Sequence, residues 1–128
     1  MLNEMAKEIH ENAVAHGWWE EERKLPEIVM LCVSELSEAL EEYRAGKPME
    51  YTACTGCPIG PTDGTECKED CNGVLKARKP EGIAVEMADC IIRILDWCGK
   101  EGIDIDSVMT RKMEYNKTRP YRHGGKVC

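Results

Sequence analysis

Residues 83–98 read IAVEMADCIIRILDWC, a stretch expected to end as a helix at Gly99. Wound as a helix, Ile83, Ala84, Val85, Met87, Ala88, Cys90, Ile91, Ile92, Ile94, Leu95, Trp97 and Cys98 cover most of the circumference, the pattern of a helix that is largely buried. One charged stripe runs down it: Glu86, Asp89, Arg93 and Asp96, at spacings of three, four and three. A single guanidinium cannot neutralise three carboxylates on so narrow a strip. An uncompensated buried carboxylate costs several kcal/mol, so these acids must face water, take up protons or surround a cation.

A second helix upstream carries a matching feature. It starts with Pro26 in its first turn and stops at Gly46, and its apolar arc of Ile28, Val29, Cys32, Val33, Leu36, Ala39, Leu40 and Tyr43 is the expected core. Glu35 and Glu38 are neighbours three residues apart, with Glu35 at the edge of that arc. Glu-x-x-Glu on one helix and Glu-x-x-Asp on the next supply hard oxygen ligands without a nearby His or Cys, which suits Mg²⁺ or Mn²⁺. Acids lining a solvated groove would show the same spacing.

Two further helices complete the expectation of an all-α fold. The first spans Leu2 to Ala15 and closes at Gly17; the fourth follows Asp104 or Asp106 as N-cap and runs to Lys117, ahead of Pro120. No stretch alternates with period two for long enough to suggest a sheet. Between the second and third helices, about residues 47–81, prolines, glycines and four cysteines mark an inserted loop. Cys54-x-x-Cys57 and Cys67-x-x-x-Cys71 have the pairing of a tetrahedral structural zinc site, with disulfides and free thiols as the other readings. Cys32, Cys90 and Cys98 fall on apolar helical faces and read as core.

The whole chain has 128 residues, enough for one domain, 1–128, and a net charge of −7. That acidity argues against a nucleic-acid polymer or a membrane surface as partner. No apolar run reaches the roughly 18 residues of a membrane helix, and no export pattern opens the sequence, so a cytoplasmic protein with reduced thiols is expected. Residues 111–126 depart from the acidic background: Arg111, Lys112, Lys117, Arg119, Arg122 and Lys126 stand against Glu114 alone. They either pair with surface carboxylates or contact phosphate, for which arginine, lysine and the open backbone at Gly124 and Gly125 are suited. Metal-binding carboxylates and a cationic tail are the two halves of a polyphosphate site.

Ser34-Glu35-Leu36-Ser37-Glu38-Ala39-Leu40-Glu41-Glu42-Tyr43-Arg44, then Lys79-Pro80-Glu81-Gly82, then Glu86-Met87-Ala88-Asp89, then the run from Tyr115 to Lys126 together resemble a MazG-like nucleotide pyrophosphohydrolase of the all-α NTP pyrophosphatase superfamily. The resemblance implies a four-helix MazG-like bundle that forms a homodimer or homotetramer. It implies Mg²⁺-dependent cleavage of a nucleoside triphosphate between the α and β phosphates. Glu35, Glu38, Glu86 and Asp89 would be the Mg²⁺ ligands, with Glu38 orienting or deprotonating the attacking water. Ser34 stands where the family pattern has a first Glu, and Glu41 or Glu42 is the candidate substitute. Lys112, Arg119 and Lys126 would stabilise the leaving pyrophosphate, Asn116 would lie near the nucleotide, and His10 and Trp19 would form the base pocket. His10 has an equal alternative as a surface helix position, and one of Trp18 and Trp19 is expected to pack while the other stacks. A reading of another class is a non-catalytic helical binding module that uses a zinc-stabilised loop to meet its partner.

Overall fold

The computed structural model describes residues 1–54 and 78–127. The elements are α1 (Leu2–Ala15), α2 (Leu25–Arg44), β1 (Tyr51–Cys54), β2 (Arg78–Glu81), α3 (Ile83–Glu101), α4 (Ile105–Lys117) and a short turn α5 (Arg122–Gly125). Helix dominates, as the all-α expectation required. Among the described residues no helix is long and apolar enough to cross a membrane. The chain divides into two compact units, one formed by Met1–Glu21 with the chain from Leu95 onward, the other by Glu22–Ile94.

In the first unit Ala6, Leu95 and Cys98 form the buried centre, with Leu2, Ile9, Trp97, Ile103 and Ile105 packed around it. Asp104 is the N-cap of α4: its carboxylate accepts from the Ser107 N–H at 3.1 Å and the Ser107 hydroxyl at 2.7 Å. Asp106 instead serves α1, accepting the first-turn N–H groups of Leu2 and Asn3 at 3.1 Å each, while Asn3 Oδ1 accepts from the Asp106 N–H. Two orphan donors of α1 are thereby satisfied by a residue a hundred positions away.

Helix α3 continues through Gly99, where the sequence reading had it end. A Cβ at position 99 would lie 2.5 Å from the Ala6 carbonyl oxygen and 2.8 Å from the His10 Cβ, so this glycine is a close-approach point between helices. The terminator is Gly102, in the left-handed region at φ +63°.

In the second unit α2 carries two registers one residue apart, one that turns inward and one that is apolar and exposed. Ile28, Cys32, Glu35, Ala39 and Glu42 are buried or half-buried, whereas Val29, Val33, Leu36, Leu40 and Tyr43 are exposed, the last by 70%. Both sets repeat at spacings of four and three, the seam spacing of paired helices. The expected eight-residue core arc therefore splits: Ile28 and Ala39 are buried and Cys32 half-buried, but the other five face outward in the single chain. Helix α3 is likewise less buried than its composition predicts, with Met87, Ile91, Ile92 and Ile94 exposed. Apolar periodicity reports which side chains seek cover, not which chain supplies it.

The region read as a continuous loop contains an antiparallel ribbon. Tyr51 pairs with Glu81, Thr52 with Pro80, Ala53 with Lys79 and Cys54 with Arg78. Four-residue strands are too short to show a period, and Arg78-Lys79-Pro80-Glu81 has no strand-favouring residue. Gly82, at φ +118°, joins the ribbon to α3 where a Cβ would sit 2.6 Å from the Met49 carbonyl; that carbonyl accepts the Ala84 N–H at 2.9 Å, occupying an orphan donor at the helix start.

Candidate metal and phosphate site

The acidic centre lies within the second unit. The inward register of α2 presents Glu35, and Glu86 and Asp89 follow in the first two turns of α3. Ligand oxygens of these three residues all lie within 4.8 Å of one another. Glu35 and Glu86 are each only 6% exposed. Burial, followed by the charges of Glu38, Asp89, Glu35 and Glu81, pushes the Glu86 carboxyl up to about 7. Burial and Glu35 also raise Asp89, against the opposing pull of Lys79 and Arg93.

The fourth expected ligand, Glu38, is exposed and is not among the converging groups, yet among the carboxylates its charge weighs most on Glu86. It stands at the rim. Arg93 Nε donates to Glu35 Oε1 at 2.5 Å. Ser34, in place of an acid, turns its hydroxyl to the Leu31 carbonyl at 2.6 Å. Of the two candidate substitutes, Glu41 is exposed and paired with Arg44, whereas Glu42 accepts the Tyr51 hydroxyl at 2.9 Å.

Sequence reasoning missed what the ribbon adds. Tyr51 and Glu81 are directly paired and Lys79 is two residues along, so the three share one face of the ribbon. Burial and the Glu42 hydrogen bond, reinforced by Glu81 and Glu86, push the Tyr51 phenol up to about 12. Lys79 Nζ pairs with Glu81 Oε1 at 2.7 Å. Lys79-Pro80-Glu81-Gly82 was visible as part of the resemblance, but nothing in its spacing announced a place beside the carboxylates.

No family profile, curated protein or solved structure matches the chain.

The other expected site residues lie in the first unit. Asp96, read as part of the acidic stripe, instead joins the two residues expected in a base pocket: His10 Nδ1 lies 2.7 Å from its Oδ1, and Trp19 Nε1 donates to both oxygens at 3.0 and 3.1 Å. The His10 and Trp19 rings meet edge to face at 5.5 Å, and Lys100 Nζ stands 5.1 Å from the Trp19 ring centre. Trp19 is half-buried and Trp18 is 60% exposed. Lys112 and Arg119 both approach the Tyr115 ring, at 5.1 and 6.0 Å, and Asn116 and Lys126 are exposed. The tail turns through four consecutive residues with positive φ, Arg122 to Gly125.

The cysteine readings divide. Cys57, Cys67 and Cys71 lie outside the described residues; of the four expected zinc ligands only the backbone of Cys54, at the end of β1, is within them. Cys90 and Cys98 are buried and Cys32 half-buried, all three as free thiols. Burial pushes the Cys32 and Cys98 thiols up, which suits packing rather than nucleophilic chemistry.

Proposed function

We propose that this chain is a Mg²⁺- or Mn²⁺-dependent nucleoside triphosphate pyrophosphohydrolase of the MazG-like kind, releasing a nucleoside monophosphate and pyrophosphate. The observation that carries the reading is the convergence of Glu35, Glu86 and Asp89 in a mostly buried position. Three carboxylates so close repel one another and lose hydration, so a hard divalent cation is the partner whose charge and ligand preference fit them. When bound, such a cation would polarise phosphate oxygens and acidify a water.

The chain's own groups supply the rest. Arg93 holds and orients Glu35. Glu38, exposed at the rim, positions the attacking water and takes its proton. Lys112, Arg119 and Lys126 stabilise the leaving pyrophosphate, Asn116 contacts the nucleotide, and His10 and Trp19 meet the base, held to each other through Asp96. We further propose a homodimer or homotetramer, supported by the exposed apolar register of α2. Cytoplasmic location belongs to the same reading, as does a structural zinc held by the four loop cysteines.

The test is a panel of ribo- and deoxyribonucleoside triphosphates with Mg²⁺, scored by pyrophosphate release. At least one substrate should be turned over, and Glu86→Gln should lower that rate by 100-fold or more while helix content is unchanged. Silence across the panel, or full activity in the variant, overturns the assignment.

A further inference from the structure

The elements around the acidic centre bring six carboxylates together: Glu35, Glu38 and Glu42 on α2, Glu81 on β2, and Glu86 and Asp89 on α3. Among the described residues two cations form ion pairs with members of this set, and they differ in kind. Arg93 is committed, its guanidinium bonded to buried Glu35 and its side chain only 36% exposed. Lys79 has a side chain 61% exposed and a single charge tethered to Glu81. Its strand nevertheless ends at the centre: Lys79 pairs with Glu81, and Gly82 leads directly into the turns of α3 that carry Glu86 and Asp89.

The ribbon fixes this position. Lys79 shares a face with Glu81 and Tyr51, and the Tyr51 hydroxyl ties that face to Glu42. Pro80, between the two charged residues, restricts the backbone there. A lysine in such a place carries three donors on a flexible stem anchored at a rigid base. While the carboxylates are unneutralised, they and Glu81 are its counter-charge. Once Glu86 and Asp89 are neutralised, a phosphate oxygen beside them becomes a stronger acceptor than Glu81 for a flexible ammonium.

We propose that Lys79 is the phosphate-contacting cation of the acidic centre, swinging from Glu81 to a phosphate group of the bound polyphosphate; this rests on the metal-dependent pyrophosphohydrolase reading above. A lysine that merely held the ribbon in place would, once removed, weaken cation and anion binding together, which gives a clean discrimination. Removing a positive charge beside carboxylates tightens divalent-cation binding but weakens a phosphate contact.

Calorimetric titration of the full chain with Mn²⁺ alone, and then with inorganic pyrophosphate in saturating Mg²⁺, tests this. Lys79→Met should bind Mn²⁺ as tightly as the parent or a few-fold tighter, and pyrophosphate about tenfold or more weakly. Lys79→Arg should recover most of the pyrophosphate affinity. Unchanged pyrophosphate binding in Lys79→Met overturns the proposal, as does parallel weakening of both ligands, or no pyrophosphate binding by the parent chain. Lys79-dependent pyrophosphate binding in a protein that hydrolyses no triphosphate would refute the enzymatic reading while leaving this contact intact.

Discussion

At the scale of the residue, Glu86 decides how the metal-free protein responds to pH. Its folded value of about 7 lies above the ordinary 4.5, so folding favours the protonated form. The stabilisation is therefore complete below about pH 4.5 and is lost as the pH rises through 7. Asp104 and Asp106 have the opposite shift and contribute fully above their ordinary value of 3.8, so they do not compete within this window. Thermal melts in a chelator should fall by roughly 5 °C between pH 5 and pH 8, after discounting for screening at the watery rim. Glu86→Gln should flatten most of that decline, and added Mn²⁺ should reverse it. A melt independent of pH would show that the three carboxylates are not crowded. Glu35, Glu86 and Asp89 were legible in the sequence because helical spacing turns positions three and four apart to one side. Lys79 and Tyr51 were not, because their placement depends on strand pairing across an interval that carries no periodic signal.

At the scale of the element, Gly99 separates two meanings of one residue type. A glycine near the end of an apolar helix reads as a stop, and α3 instead passes through it for two more residues because the missing side chain admits the Ala6 carbonyl. Gly99→Ala should destabilise the chain by about 2 kcal/mol through overpacking, although alanine is the better helix former. Equilibrium urea unfolding checks this: a neutral or stabilising substitution would mean that the two helices do not meet there. The N-cap of α4 illustrates the same limit. Asp104 and Asp106 were both candidates from sequence, and only the fold shows one capping its own helix while the other serves α1. Local chemistry identified the right residue types, but long-range contacts assigned their tasks.

At the scale of the whole molecule, the unmatched surface is apolar. Val29, Val33, Leu36, Leu40 and Tyr43 on α2, with Met87, Ile91, Ile92 and Ile94 on α3, leave much apolar area of the second unit exposed. The proposed homo-oligomer would cover it. Light scattering at micromolar concentration should give at least twice the chain mass, and Leu36→Glu with Leu40→Glu should yield monomers. A monomeric parent chain would leave this surface for another partner. The sequence made these residues recognisable as cover-seeking, but a single-chain periodicity cannot distinguish an internal core from a surface shared between copies. The two registers of α2 also constrain how the gene can drift. One residue deleted between Cys32 and Glu35 would turn the rest of the helix by about a quarter of a revolution, presenting Leu36 and Tyr43 where Glu35 and Glu42 now stand, and Ser37, Glu41 and Arg44 where Leu36, Leu40 and Tyr43 now stand. Substitutions can accumulate along this helix one at a time, whereas a change of length there would disable its acidic and its apolar side at a single stroke.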